Sequence, residues 1–100
     1  MEEPNVTLNE AKQLLRGWSN ASQETVADSI RYHFGKHGAK VAAANVWQYL
    51  RKAVGMRRNL RGARRSVLDR GKVRYTKHKL FLILDIQGKI ISFGPEQSND

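Results

Sequence analysis

The fold is decided by the stretch KVRYTKHKLFLILDIQGKIISF, which covers residues 72–93. Its first part, Lys72–Thr76, alternates polar and apolar side chains, as a half-buried strand does. Leu80–Leu84 is apolar at every position and predicts a central strand that is covered on both faces. Gln87-Gly88 predicts a two-residue hairpin loop that requires a positive φ at its glycine, and Lys89–Phe93 is the last strand. We therefore expect three consecutive antiparallel strands.

The sequence before this stretch adds one strand and a set of helices. Arg65–Leu68 has the composition of a short strand. Further upstream, apolar side chains recur at spacings of three and four residues, which predicts helices. The predicted N-caps are Thr7, Ser22 and Asn45, and the predicted helix ends are Gly17, Gly38 and Arg61-Gly62.

Helices followed by a meander predict an α+β fold within a single domain over residues 1–100. Two or three N-terminal helices, at about 7–60, pack on a four-stranded antiparallel β-meander at about 64–94. A frayed tail follows at 96–100.

The composition excludes several classes of protein. The chain has no cysteine, so disulfides and cysteine-based zinc ribbons are ruled out. No run approaches the roughly 20 apolar residues that span a bilayer, and the acidic residues 1–10 lack the apolar core of a signal peptide. Nucleophile elbows, Gly-rich phosphate loops and paired carboxylates are also missing. We expect a domain that is delivered as part of a larger secreted or cell-surface protein.

The charge is large and unevenly distributed. The chain carries 18 Lys and Arg against 9 Asp and Glu, for a net charge of +9. Residues 31–79 hold fifteen of these bases and a single acid, Asp69. Such a concentration predicts binding to a polyanion, and it also predicts that a protein inhibitor of this surface would be acidic.

Histidine and cation chemistry is the catalytic option that remains. RNA is cleaved without a metal when a base removes the 2′-hydroxyl proton, cations stabilise the phosphorane and an acid protonates the leaving 5′-oxygen. Imidazole exchanges protons near neutral pH, and Arg and Lys supply the positive charge. His33 and His37 have a spacing that also suits zinc. A third ligand is missing nearby, so we predict no metal and no cofactor.

The candidate residues differ in their expected surroundings. His33 lies inside the apolar stripe of the second helix and is either a core residue or a functional one. His37 lies at the end of that helix, and we expect it to be exposed and cationic. The side chains that we expect to contact RNA are Lys36, Arg57, Arg58, Arg64, Arg65, Lys72, Lys77, His78 and Lys79.

An ordered set of short elements resembles a known family. The elements are YHFGKHGA at 32–39, WQYLRKA at 47–53, GKVRY at 71–75 and GKIISFGP at 88–95. Their order, over about residues 28–95, is similar to the ribonuclease domains of the barnase–EndoU–colicin–RelE superfamily. The resemblance is to the C-terminal toxin domains of bacterial polymorphic and contact-dependent inhibition systems and to related phage-encoded domains.

This resemblance implies a metal-independent endoribonuclease toxin that cleaves RNA, often tRNA, in the cytoplasm of a target bacterium. A cognate immunity protein or antitoxin would block its site, and a host translation factor is a further expected partner. The resemblance implies catalytic roles for His37 with His33 as its companion, for Arg74 with Tyr75 and Thr76 beside it, and for Ser92. The last of these stands where the family commonly has threonine.

Two alternatives stay open. A non-catalytic nucleic-acid-binding domain would use the arginine-rich third helix and the basic hairpin to contact phosphates, with steep salt dependence and no product. A ribosome-dependent mRNA interferase would be inert on free RNA and active on translating ribosomes.

Overall fold

The structure is a computed structural model that describes residues 6–97. Three helices come first, namely α1 (Leu8–Arg16), α2 (Val26–His37) and α3 (Val46–Arg57). Four strands follow, namely β1 (Arg64–Val67), β2 (Val73–Lys77), β3 (Leu80–Leu84) and β4 (Ile90–Pro95). They form one antiparallel sheet in the order β1-β2-β3-β4. The predicted α+β architecture is confirmed. None of the helices within residues 6–97 combines the length and the apolar character that crossing a membrane requires.

The helix starts follow side-chain capping, with one difference from the prediction. Thr7 and Asn45 accept hydrogen bonds from backbone amides three residues ahead, as expected. The cap of α2 is Thr25, which accepts from the Asp28 amide at 3.0 Å, and the predicted cap at Ser22 is wrong. The reason is a local turn around that serine, in which the Asn20 side-chain amide donates to the Gln23 carbonyl and the Gln23 amide donates to the Asn20 backbone carbonyl.

The connection between β3 and β4 is longer than the two-residue loop that the sequence predicts. The carboxylate of Asp85 accepts hydrogen bonds from the backbone amides of Gln87 and Lys89, both at 2.9 Å. This carboxylate holds a wider turn, so β4 begins at Ile90. The positive φ at Gly88 is confirmed, at 86°. Strands β1 and β2 are each displaced by one residue from their predicted bounds.

The central strand β3 is buried on both sides, as predicted. Leu82 pairs with Phe93, and both belong to the main core with the helices, around Trp18 and Tyr49. Phe81, Ile83 and Ile91 form a second buried cluster, whose β3 members alternate with Leu82 and therefore lie on the other side of the sheet. The hydroxyl of Tyr49 donates to the Phe93 carbonyl and ties α3 to β4.

The free edge of β4 and the end of the chain are both held by polar contacts. The Ser19 amide donates to the Ile90 carbonyl and the Ile90 amide donates to the Gly17 carbonyl, so the segment after α1 covers the β4 edge. Glu96 is bonded through its amide to the Lys79 carbonyl at 2.8 Å. The prediction of fraying from Glu96 onward is therefore wrong at that residue, and positions 98–100 lie outside the described residues.

Candidate nucleic-acid interface

The turn between β2 and β3 presents two basic side chains on a strained backbone. Lys77 pairs with Leu80, so only His78 and Lys79 form the turn. Their φ angles are 53° and 66°, in the left-handed region that favours glycine, asparagine or aspartate. Each of these residues costs about 1 kcal/mol in that conformation. Strain of this kind concentrates at functional sites, and both side chains are exposed here.

A basic surface surrounds this turn. Two adjoining depressions, which together we term the turn surface, are lined by Lys40, Gly62, Arg64, Thr76, Lys77, His78, Lys79, Pro95, Glu96 and Gln97. Its single acid, Glu96, lies 2.9 Å from the Arg64 guanidinium in an exposed ion pair. The Glu96 carbonyl also accepts from Arg74 Nη2 at 2.8 Å. The turn surface therefore combines five cationic or imidazole side chains with one carboxylate.

His37 is buried, which corrects the expectation that it is exposed and cationic. Its ring is 1% exposed and meets the ring of Phe81 edge-on, with the centroids 5.5 Å apart. The guanidinium of Arg74 covers the same phenyl ring, with its Cζ 4.3 Å from the centroid. The reason is that the end of α2 packs on β4, where Gly94 leaves room for the imidazole.

His33 has the surroundings of a core residue, which is one of the two interpretations that the sequence left open. It is 4% exposed, and its Nδ1–H donates to the Ser29 carbonyl at 2.9 Å. That hydrogen bond sets the tautomer of the ring. The ring stacks on His37 at 6.4 Å between centroids and lies 6.2 Å from Trp18.

The strand register brings together most of the residues that the family resemblance implies. Arg74 pairs with Ile83, which pairs with Ser92, and Thr76 pairs with Phe81. Directly paired residues share one face of a sheet. Arg74, Thr76 and Ser92 therefore lie on one side, close to His37.

Tyr75 does not join this group. It pairs with Leu82, so its side chain lies on the core side of the sheet, and the sheet separates it from the other candidates. Ser92 is on the right side but completely buried. RNA on the molecular surface would reach neither Ser92 nor His37 without a change in this packing.

Four of the nine predicted RNA contacts lie on the turn surface, and the other five are spread over the rest of the molecule. Arg64, Lys77, His78 and Lys79 line the turn surface. Arg57 and Lys72 lie at the opposite end of the strands, where Arg57 donates to the carbonyls of Gly17 and Gly88. Arg58 lines a depression beside α1, Arg65 lies on the opposite sheet face from Arg64, and Lys36 lies over the Tyr32 ring at 5.8 Å.

Sequence reasoning missed Lys40 and Glu96 at this site. Lys40 lies in the short turn after α2 and lines the depression with Lys79 and Pro95. Its position directly after the YHFGKHGA element at 32–39 was the available signal. Nothing local marks Glu96, because its role depends on the distant Arg64.

Within residues 6–97, no three His, Asp or Glu side chains gather in a way that would hold a metal ion. Comparison of the chain with protein-family models and with curated proteins found no match. The turn surface and the residues around His37 are the features of the structure that bear on function.

Proposed function

We propose that this chain binds RNA along the turn surface and cleaves it as a metal-independent endoribonuclease. The observation that carries the proposal is the exposed imidazole of His78, which is held between Lys77 and Lys79 on a strained turn. Arg64 and Lys40 extend the positive charge on either side. Cations arranged in this way attract successive phosphates of a nucleic-acid backbone.

The chemistry follows from these side chains. His78 removes the 2′-hydroxyl proton of a bound ribose, and the resulting oxygen attacks the adjacent phosphorus. Arg64 and Lys77 stabilise the negative charge that develops on the phosphorane. The 5′-oxygen leaves with a proton taken from solvent water, and His78 returns to solvent the proton that it removed, so the products carry a 2′,3′-cyclic phosphate and a 5′-hydroxyl.

His37 is buried in the interior next to this site. His37 and Arg74 both contact the Phe81 ring. Arg74 also donates to the Glu96 carbonyl, so these contacts link the interior of the protein to the turn surface. His37 itself would contact RNA only if Arg74 or the end of β4 moved. The superfamily resemblance assigns catalysis to His37, so the two imidazoles are separate candidates that mutation can distinguish.

The same surface is the expected site of neutralisation. An immunity protein or antitoxin with an acidic face would cover Lys40, Lys77, His78 and Lys79 and would associate rapidly because the potentials are opposite. Such a pair fits a toxin that acts in the cytoplasm of a target bacterium, with tRNA as the expected substrate.

A second candidate function is RNA binding without cleavage. Burial of His33 and His37, at 4% and 1% exposure, favours this alternative because it removes two of the three imidazoles from the surface. It predicts the same salt-dependent affinity and no product.

Incubation of the purified protein with total tRNA in EDTA separates the two functions. Fragments that end in a 2′,3′-cyclic phosphate support the endoribonuclease, and intact tRNA with full binding supports the second candidate. A parallel incubation with translating ribosomes tests the ribosome-dependent variant. His78→Asn keeps a residue that tolerates the turn, and we expect it to abolish cleavage. If it cleaves normally while a folded His37→Asn variant is inactive, catalysis belongs to His37.

A further inference from the structure

A hollow lies between α3 and the β2–β3 turn, beside the turn surface. We term it the α3 hollow. It has a volume of about 240 Å³ and is lined by Val41, Lys52, Gly55, Met56, Asn59, Lys77, His78, Leu80 and Phe93. Lys77 and His78 line both this hollow and the turn surface. A strand of RNA on the turn surface would therefore pass directly over the hollow.

The lining has an apolar floor and a cationic rim. Val41, Met56, Leu80 and Phe93 are buried or half-buried and provide the apolar part. Lys52 and His78 are exposed, and Lys77 donates from Nζ to the Asn59 carbonyl at 2.9 Å. The Asn59 side chain is the neutral polar group of the rim. The apolar floor suits a flat ring, and the positively charged rim suits a negatively charged chain that continues on either side of that ring.

Gly55 lines the α3 hollow and also the depression beside α1. It lies inside α3, where glycine costs about 1 kcal/mol relative to alanine. It is exposed, and a Cβ at this position would have no neighbouring atom within 4 Å. No packing contact requires glycine here, and no positive φ requires it either. The consequence of the missing side chain is free space at one wall of the hollow.

We propose that the α3 hollow binds one unpaired nucleobase of single-stranded RNA, whose phosphates lie on Lys77, His78 and Lys52. This inference rests on the proposed function and specifies its substrate as unpaired RNA. The volume suits one ring system, since it is smaller than the roughly 300–1,000 Å³ of drug-sized ligand sites. Bases in a duplex are stacked and cannot enter, whereas loops and single strands present bases that can turn outward.

A substitution at Gly55 tests the inference without removing any charge. Gly55→Leu fills the hollow from a position that has open space, so the fold should be retained, which a thermal unfolding curve verifies. The matched control is Gly35→Leu, because Gly35 is also an exposed helical glycine with no atom within 4 Å of its Cβ.

The binding probe is a short, fluorescently labelled single-stranded RNA with 2′-O-methyl riboses, which the proposed reaction cannot cleave. We expect Gly55→Leu to weaken its binding about tenfold, as loss of one base contact does. Gly35→Leu should bind as the wild type does. An abasic oligomer, which has the same number of sugar and phosphate groups but no nucleobases, should bind to the wild type and to Gly55→Leu with equal affinity.

The outcomes distinguish this inference from the proposed function. Unchanged RNA affinity in a folded Gly55→Leu variant overturns the base-binding site, and so does an equal loss of affinity for the base-free oligomer. A Gly55→Leu variant that binds RNA normally but no longer binds a protein partner of the wild type also overturns it. In all three cases RNA cleavage by the wild type would still support the proposed function. A wild type that neither binds nor cleaves RNA contradicts the proposed function itself.

Discussion

His37 and Gly94 pack so closely that no side chain fits between them. A Cβ on Gly94 would lie 2.7 Å from His37 Cγ and 2.9 Å from Phe81 Cε2, and neither ring is the flexible end of a long side chain. The end of α2 therefore packs against β4 only because position 94 is glycine.

The first prediction concerns this contact. Gly94→Ala should lower the free energy of unfolding by about 1–3 kcal/mol, the usual cost of overpacking a close-packed interior. Denaturant unfolding measures the change. Gly35→Ala is the control, since that position is open and exposed and alanine favours the helix. A Gly94→Ala protein as stable as the wild type would show that the His37 ring can move aside freely.

The second prediction concerns the strained β2–β3 turn. Replacing His78 by Asn and Lys79 by Gly provides the residues that two positive φ angles favour. The double variant should gain about 1–2 kcal/mol of stability and should lose RNA binding and cleavage. Calorimetry and an RNA-binding titration together check this. Increased stability with undiminished RNA binding would mean that the turn is not part of the interface.

The third prediction concerns the carboxylate of the turn surface. Glu96 pairs with Arg64, and a phosphate would compete for the same guanidinium. Glu96→Gln should therefore strengthen RNA binding and make the salt dependence steeper, by a slope of up to about 0.7 for one additional phosphate contact on a single strand. Glu24→Gln, which changes the charge equally in the exposed loop before α2, is the control. If both variants change RNA affinity equally, the change comes from net charge and not from the pairing of Glu96 with Arg64.

The fourth prediction concerns pH and the packing of α1 on α3. Arg51 donates from Nε and Nη2 to the two carboxylate oxygens of Glu10, both at 2.8 Å. This hydrogen bonding holds the pKa of Glu10 below its ordinary value. Because the folded pKa is lower than the unfolded one, the stabilisation is present above the unfolded pKa and is lost as pH falls through the folded pKa.

An NMR titration of Glu10 checks this assignment. The pKa of Glu10 should rise toward its ordinary value in Arg51→Met, and the stability difference between wild type and Arg51→Met should shrink in acid. Arg16→Met removes a charge from α1 itself and serves as the control. An unchanged Glu10 pKa in Arg51→Met would contradict the assigned cause.

Local patterns in the sequence determined the elements of this fold. The apolar run Leu80–Leu84 predicted the central strand, and Thr7 and Asn45 were recognised as caps, because a cap bonds only a few residues ahead. The positive φ of Gly88 was predictable for the same reason. Where a second local interaction competed, as in the turn around Ser22, the predicted boundary moved.

Tertiary structure alone decided which side chains are exposed. The burial of His37 depends on Gly94, which is distant in sequence and belongs to another element. The pairing of Glu96 with Arg64 likewise depends on which strands and loops meet. Periodicity predicts which residues share a face of a helix or strand. Burial is decided by what packs on that face, and that information lies in the whole chain.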